Sequence, residues 1–379
     1  MPSASLSQRI PALDGIRGVA VLLVFAYHVG FFTGTGGAAN DAGAFAALAR
    51  HGWMGVDVFF VLSGFLITGI LLEGRGEAGW LRRFYLRRAA RIVPAYYSLL
   101  LVVGGALVAA GVGGSLRAGW TATWLTNVLV ARDGWSALAP PLHHLWSLAV
   151  EEQFYLAWPL VVWLVPERRL GWTAALLVGA SALGRVLLAL HGEAVGSYVL
   201  LPARMDGLAV GALLALGVRR AGSLPAVARE MRFPALVAAL ILLGIARTRG
   251  TLAQGDPFML AFGQVALVVL AGAVMIAAAA QAPTGWLRRL LDAPHLSLTG
   301  RYSYAIYLWH QPVVLLTVVT LRRHAALPPG GRAEVAVVTV LAALLTAGCA
   351  ALSWHLVERP ALRLRDRLPG AVLSARRAP

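Results

Sequence analysis

The residue that most clearly promises chemistry is a histidine buried in an apolar run. The stretch opens Leu13-Asp14-Gly15-Ile16-Arg17-Gly18 and then carries no charge past His28. A neutral imidazole can take a proton from a hydroxyl near neutral pH, and few other side chains can. Arg17 precedes His28 by eleven residues. On a helix that spacing leaves about 20° between them in azimuth and roughly 16 Å along the axis. An arginine at the rim and a histidine halfway through the run therefore share one face. A histidine bonded to a neighbouring helix's carbonyl would look the same in isolation, so a structural role stands beside the catalytic one.

A second constellation lies in His144-Leu145-Trp146-Ser147-Leu148-Ala149-Val150-Glu151-Glu152-Gln153-Phe154-Tyr155. His144, Ser147, Glu151 and Tyr155 fall at i, i+3, i+7 and i+11, one stripe of a helix, and Glu152 is expected to point elsewhere. Such a stripe in an apolar segment marks either an internal cavity or a hydrogen-bonded helix contact. A third is the arginine cluster 82–94, where Arg88 and Arg91 share a face. Guanidinium forks suit phosphate groups, though an arginine cluster can equally anchor a membrane protein at lipid headgroups. Asp57, the Arg204/Asp206 pair and the segment Arg301-Tyr302-Ser303-Tyr304 leading to His310 are further polar residues in apolar surroundings, expected to pair structurally.

The elements that hold these residues are set by composition. Of 379 residues, 59% are hydrophobic and 13% charged, about half the charged share of a soluble domain. A bilayer hides that much apolar surface and a soluble fold does not. The expected fold is all-α, a polytopic transmembrane bundle of ten spans, roughly 11–33, 52–72, 92–113, 143–165, 170–191, 196–218, 233–248, 257–281, 302–321 and 334–357. The seventh is short and bounded by Pro234 and Arg247, and the first reads as an uncleaved helix because Asp14 and Arg17 sit at its start. All 33 basic residues are arginine. With the N-terminus in the cytoplasm, 23 of them fall on the inner side and 8 on the outer, so both termini are expected to be cytoplasmic and the location the cell membrane. The clusters lie between apolar runs, which is a topology signal and not a nucleic-acid surface. The outer loop 114–142, with Trp120, Trp124 and Trp135, is expected to fold back on the membrane as an aromatic belt or a ligand cap.

Taken together, these segments resemble the acyltransferase 3 family, the OafA-type membrane O-acyltransferases. The resemblance runs from Ile10 to about Pro360 and rests on six stretches in family order. They are Leu13 to Gly18 with His28, Gly55 to Ile67, Arg88 to Pro94, His144 to Tyr155, Ser303 to His310, and Glu358-Arg359-Pro360. The resemblance implies transfer of an acyl group from cytoplasmic acyl-CoA, with acetyl-CoA the first candidate, to a hydroxyl of a sugar. It implies His28 as catalytic base with Arg17 as its paired basic residue. It also implies Arg88 and Arg91 at the donor and Glu151 as the recurrent carboxylate, which would orient the imidazole or the acceptor. Asp14, Asp57, His144, Ser147, Arg204, Asp206 and His310 would play supporting parts.

The chain divides into a cytoplasmic N-terminus (1–9), a membrane acyltransferase domain (10–360) and a basic cytoplasmic tail (361–379), with no appended domain expected. The nine histidines show no zinc-site spacing, so no metal and no permanently bound cofactor are expected. Membrane lipid, acyl-CoA and a glycan or glycosylated secondary metabolite are the expected partners. A transporter or flippase using the same buried charges is the competing class; such proteins often carry inverted repeats, and none is evident here.

Overall fold

The computed structural model describes residues 10–35, 43–282, 284–325 and 327–366. Among them there is no strand, and ten long helices fall where the ten apolar runs lie. They are α1 (Pro11–Thr33), α2 (Met54–Gly74), α3 (Trp80–Ala109), α4 (Leu145–Leu164) and α5 (Glu167–Leu190). Then come α6 (Leu201–Ala221), α7 (Arg232–Arg249), α8 (Gln264–Ala280), α9 (Ser303–Arg323) and α10 (Arg332–Ser353). Eight spans are long and apolar enough to cross a membrane, and α7 makes a ninth when joined to Leu224–Glu230, from which it bends by 46°. The ten expected spans are complete only if α4 is counted. It has 20 residues, but Glu151, Glu152 and Gln153 reduce its apolarity. Charged residues in such a position usually face the bundle interior, and those of α4 do.

The centre of the bundle is α2, packed against α1, α6 and α8, while α5 and α10 lie outside with bare apolar faces. Leu176 and Leu344 there are largely exposed, as side chains facing hydrocarbon would be. Small residues bring the central backbones together. A Cβ on Gly64 would strike the Leu208 carbonyl, and one on Gly211 would strike the Val61 carbonyl, so only glycine lets α2 and α6 meet this closely.

The loop between α8 and α9 is not a plain connection. It forms two short helices, Trp286–Leu291 and Pro294–Arg301, which pack on the start of α1. Gly15 and Gly18 face their backbone, and Gly300 lies against the Asp14 carbonyl. The glycines around Asp14 and Arg17 thus serve this contact, which fixes the rim where Arg17 sits. On the other side, the 114–142 loop folds into short helices tied to the bundle. Tyr96 and Tyr97 donate hydroxyl bonds to the Thr121 and Ala122 carbonyls at 2.7 Å, and Trp124 stacks on Tyr96.

Candidate active site

Arg17 of α1, Arg88 and Arg91 of α3, and Glu151, Glu152 and Tyr155 of α4 converge on one cavity inside the bundle. Val56, Phe59, Phe60 and Ser63 of α2 form another wall, and Ser303, Tyr304 and Tyr307 of α9 close the side opposite. The three guanidinium groups come from two helices that begin on the arginine-rich face. Arg88 lies with its guanidinium 4.0 Å from the Tyr155 ring centre, and its Nε has no hydrogen-bond partner among the described residues. Arg17 is held by Asp14 at 3.3 Å. Ser63 donates to Glu151 Oε1 at 2.8 Å. A cavity lined by three arginines, with Arg88 Nε left unpartnered, suits an anionic group such as a phosphate.

Glu152 lines the same cavity, so the expectation that it points elsewhere is corrected. The reason is the cavity's width: it spans more of the α4 surface than one narrow stripe, so neighbours about 100° apart both reach it. Glu151 lines the cavity beside it. It is engaged by Ser63 among the arginines and makes no hydrogen bond to His28 among the described residues. Arg17 and His28 stand well apart, as their spacing on a helix requires. The two stand on one helix, Arg17 at the cavity and His28 beyond its far end.

At that far end Tyr307 and Ser147 bring their hydroxyls to 2.5 Å, and three imidazoles lie just past them. Tyr307 contacts both His144 and His310 ring to ring. His310 Nε2 is 3.1 Å from His28 Nδ1. His28 Nδ1 also lies 2.9 Å from the Val24 carbonyl. A carbonyl only accepts, so His28 carries its proton on Nδ1 and presents the lone pair on Nε2. His144 and His310 are buried, and His28 is only half-buried, the one of the three that an acceptor can approach.

The α9 sequence explains how His144 is held. Pro312 has no N–H, which frees the Leu308 carbonyl one turn earlier. His144 Nε2 donates to that carbonyl at 3.1 Å, and the His144 backbone N–H donates to Gln311 at 2.8 Å. Sequence reasoning did not single out Tyr307 or Ser63. A signal was present for the first: Ser303, Tyr307 and His310 fall at i, i+4 and i+7, a polar stripe on α9 that faces the one on α4.

The remaining supporting residues form a separate cluster. Arg204 pairs with Asp57 at 2.6 Å, and Arg185 pairs with Asp206 at 2.9 Å. The expected Arg204/Asp206 pair is therefore corrected, because residues two apart on a helix point to different sides. Gln264 also donates to Asp57, at 2.5 Å. All four charged side chains are fully buried, and the cluster ties α2, α5, α6 and α8 together without lining the cavity.

The sequence profile of the acyltransferase 3 family, described as an acyltransferase domain, matches residues 10–354. The chain belongs to that family. It is 31% identical over 330 residues to the peptidoglycan O-acetyltransferase OatA of Listeria monocytogenes, covering 82% of this chain and 50% of that protein. It is 32% identical over 375 residues to a Bacillus subtilis protein named "Putative peptidoglycan O-acetyltransferase YrhL", covering 93% of this chain and 54% of that one. The chain thus spans about half the length of the curated relatives it matches. No solved structure matches it. The matched range takes in the arginine cavity and all three imidazoles, so the site described here lies within the family's domain.

Proposed function

We propose that the chain is a cell-membrane O-acetyltransferase that moves an acetyl group from acetyl-CoA to a hydroxyl of a cell-surface glycan. Arg17, Arg88 and Arg91 receive the phosphates of the donor from the cytoplasmic side, and both termini lie on that side. The pantetheine arm runs up the cavity past Tyr155 and Tyr307 and sets the thioester beside His28. The acceptor hydroxyl gives its proton to His28 Nε2 as its oxygen attacks the thioester carbonyl. The carbon–sulfur bond breaks, the proton passes from Nε2 to the departing thiolate, and the products are an O-acetyl ester and free coenzyme A. No covalent enzyme intermediate is needed.

One observation carries this reading. An arginine-lined cavity ends at Tyr307, whose ring contacts His310, and His310 Nε2 lies 3.1 Å from Nδ1 of His28, whose own Nε2 makes no bond to the described residues. The names of the relatives point to peptidoglycan as the acceptor to try first.

The test is to incubate the purified full chain in proteoliposomes with radiolabelled acetyl-CoA and muropeptides, or with glycosylated macrolides as the alternative acceptor. Ester-linked label on an acceptor with equimolar thiol release supports the proposal. Movement of a glycan across the bilayer with no label transferred would replace it with the transporter reading.

A further inference from the structure

The catalytic proposal names one imidazole, yet three are packed together. In many hydrolases and transferases a base histidine is held by a carboxylate on its second ring nitrogen. No described carboxylate bonds the His28 ring; Glu151, the nearest candidate from the sequence, is engaged by Ser63 instead. The group that occupies the carboxylate's place is His310.

The hydrogen positions follow from what each partner can do. His310 Nδ1 lies 2.6 Å from the Tyr307 carbonyl, so it carries a proton and leaves Nε2 with a lone pair. That lone pair faces His28 Nδ1 at 3.1 Å. His28 Nδ1 therefore meets two acceptors, the Val24 carbonyl of its own helix and His310 Nε2 of α9. The first bond is within one helix and leaves the ring free to swing with its own backbone; the second ties it to another helix. His310 is itself fixed. It is fully buried, its ring lies edge-on to His144 at 5.2 Å, and His144 is locked to the carbonyl that Pro312 frees. Close as the three rings are, no group of three or more His, Cys, Asp or Glu side chains among the described residues is arranged to hold a metal ion.

We infer that His310 is the positioning residue of the transfer reaction: a neutral imidazole acceptor that holds His28 with Nε2 toward the substrates. This rests on His28 being the base. A neutral partner has a consequence that a carboxylate would not. It fixes the ring without adding a negative charge that would hold the proton on His28, so Nε2 returns it readily to the thiolate sulfur. The reaction balances as before: the hydroxyl proton goes to Nε2 and on to sulfur, and His310 keeps its own proton throughout.

The test compares His310→Leu, His310→Gln and His28→Asn in the purified full chain. His310→Leu should lower kcat by about ten- to a hundredfold, the scale of a lost hydrogen bond to a group that becomes charged, while KM for acetyl-CoA stays within about twofold. His310→Gln keeps a neutral acceptor oxygen and should recover most of that loss. Nitrogen-15 NMR of the histidine-labelled wild type, with the His28 signal assigned through His28→Asn, should show protonated Nδ1 and bare Nε2. A His310→Leu enzyme at wild-type kcat, or a His28 ring protonated on Nε2, overturns the inference. If His28→Asn is also fully active, the base assignment falls with it; if only His310→Leu is active, the base assignment stands. A nitrogen–nitrogen scalar coupling across the bond between His28 Nδ1 and His310 Nε2 in the wild-type spectrum reads the pairing itself, even where a His310 variant fails to accumulate; its absence overturns the inference.

Discussion

Replacing Arg88 tests the donor site most directly, because the structure gives both the loss and a control. Arg88 lies over Tyr155 at 4.0 Å, with an unpartnered Nε and with Arg17 and Arg91 on the same cavity. Arg88→Ala removes a charge-assisted contact to a donor phosphate, worth about 1.5–3 kcal/mol. It also leaves Glu151 and Glu152 facing that phosphate with one cation fewer, which pushes the loss toward the upper end. At about 1.4 kcal/mol per tenfold, Kd for coenzyme A should rise roughly ten- to a hundredfold or slightly more. Arg88→Lys should fall between, since an ammonium keeps the charge but loses the planar fork and its stacking on the ring. Arg91→Ala should behave like Arg88→Ala. Arg82, exposed and outside the cavity, is the control, and Arg82→Ala should bind as wild type. Titration calorimetry on purified protein measures each constant. If Arg88→Ala and Arg91→Ala both bind coenzyme A normally, the cluster is an anchor at lipid headgroups and the donor site lies elsewhere.

Three further outcomes are expected. His28→Asn, which keeps hydrogen bonding without basicity, should lose about 10²–10⁴-fold in acetyl transfer at unchanged coenzyme A affinity; near wild-type turnover would remove it as the base. Glu151→Gln and Glu152→Gln should both change KM for acetyl-CoA, since both line the cavity, and an effect confined to Glu151 would restore the single-stripe picture. Arg204→Met should cost about 3–5 kcal/mol by leaving Asp57 charged and buried, whereas Asp57→Leu combined with Arg204→Met should be more stable than Arg204→Met alone, as read by thermal unfolding in detergent; a double variant no better than the single would mean that the pair does more than offset its own desolvation.

Hydrophobic runs made the long helices legible, because in lipid a run of about 20 apolar residues has few other structures open to it. The short seventh run became the bent one, and the reason is local: Pro234, just past the junction at Met231, has no N–H to give the Glu230 carbonyl, so the preceding helix cannot run straight on. Periodicity also placed Ser147, Glu151 and Tyr155 on one wall, since spacing along a single helix is a property of that helix alone. It could not say which helix stands opposite. Arg204 shows the limit: Asp206 is its neighbour in sequence, but the carboxylate it meets is Asp57 on another helix.

The partner of His28 shows how far local reasoning reaches. Nothing within α1 selects His310, which lies 282 residues away, yet three α9 residues acting locally prepare the contact. Tyr307 offers a carbonyl that sets the His310 proton, and Pro312 withholds an N–H so that the Leu308 carbonyl can take His144. Gln311 then bonds the His144 backbone on one side and the Pro140 carbonyl on the other, at 2.8 and 2.7 Å, which joins the 114–142 loop to the same turn. The segment Tyr307 to Pro312 therefore works as a unit: a proline that would weaken an ordinary helix supplies the free carbonyl through which two helices hold the imidazoles in register. Its place in the sequence was visible from the start; its meaning depended on α1 and α4 arriving beside it.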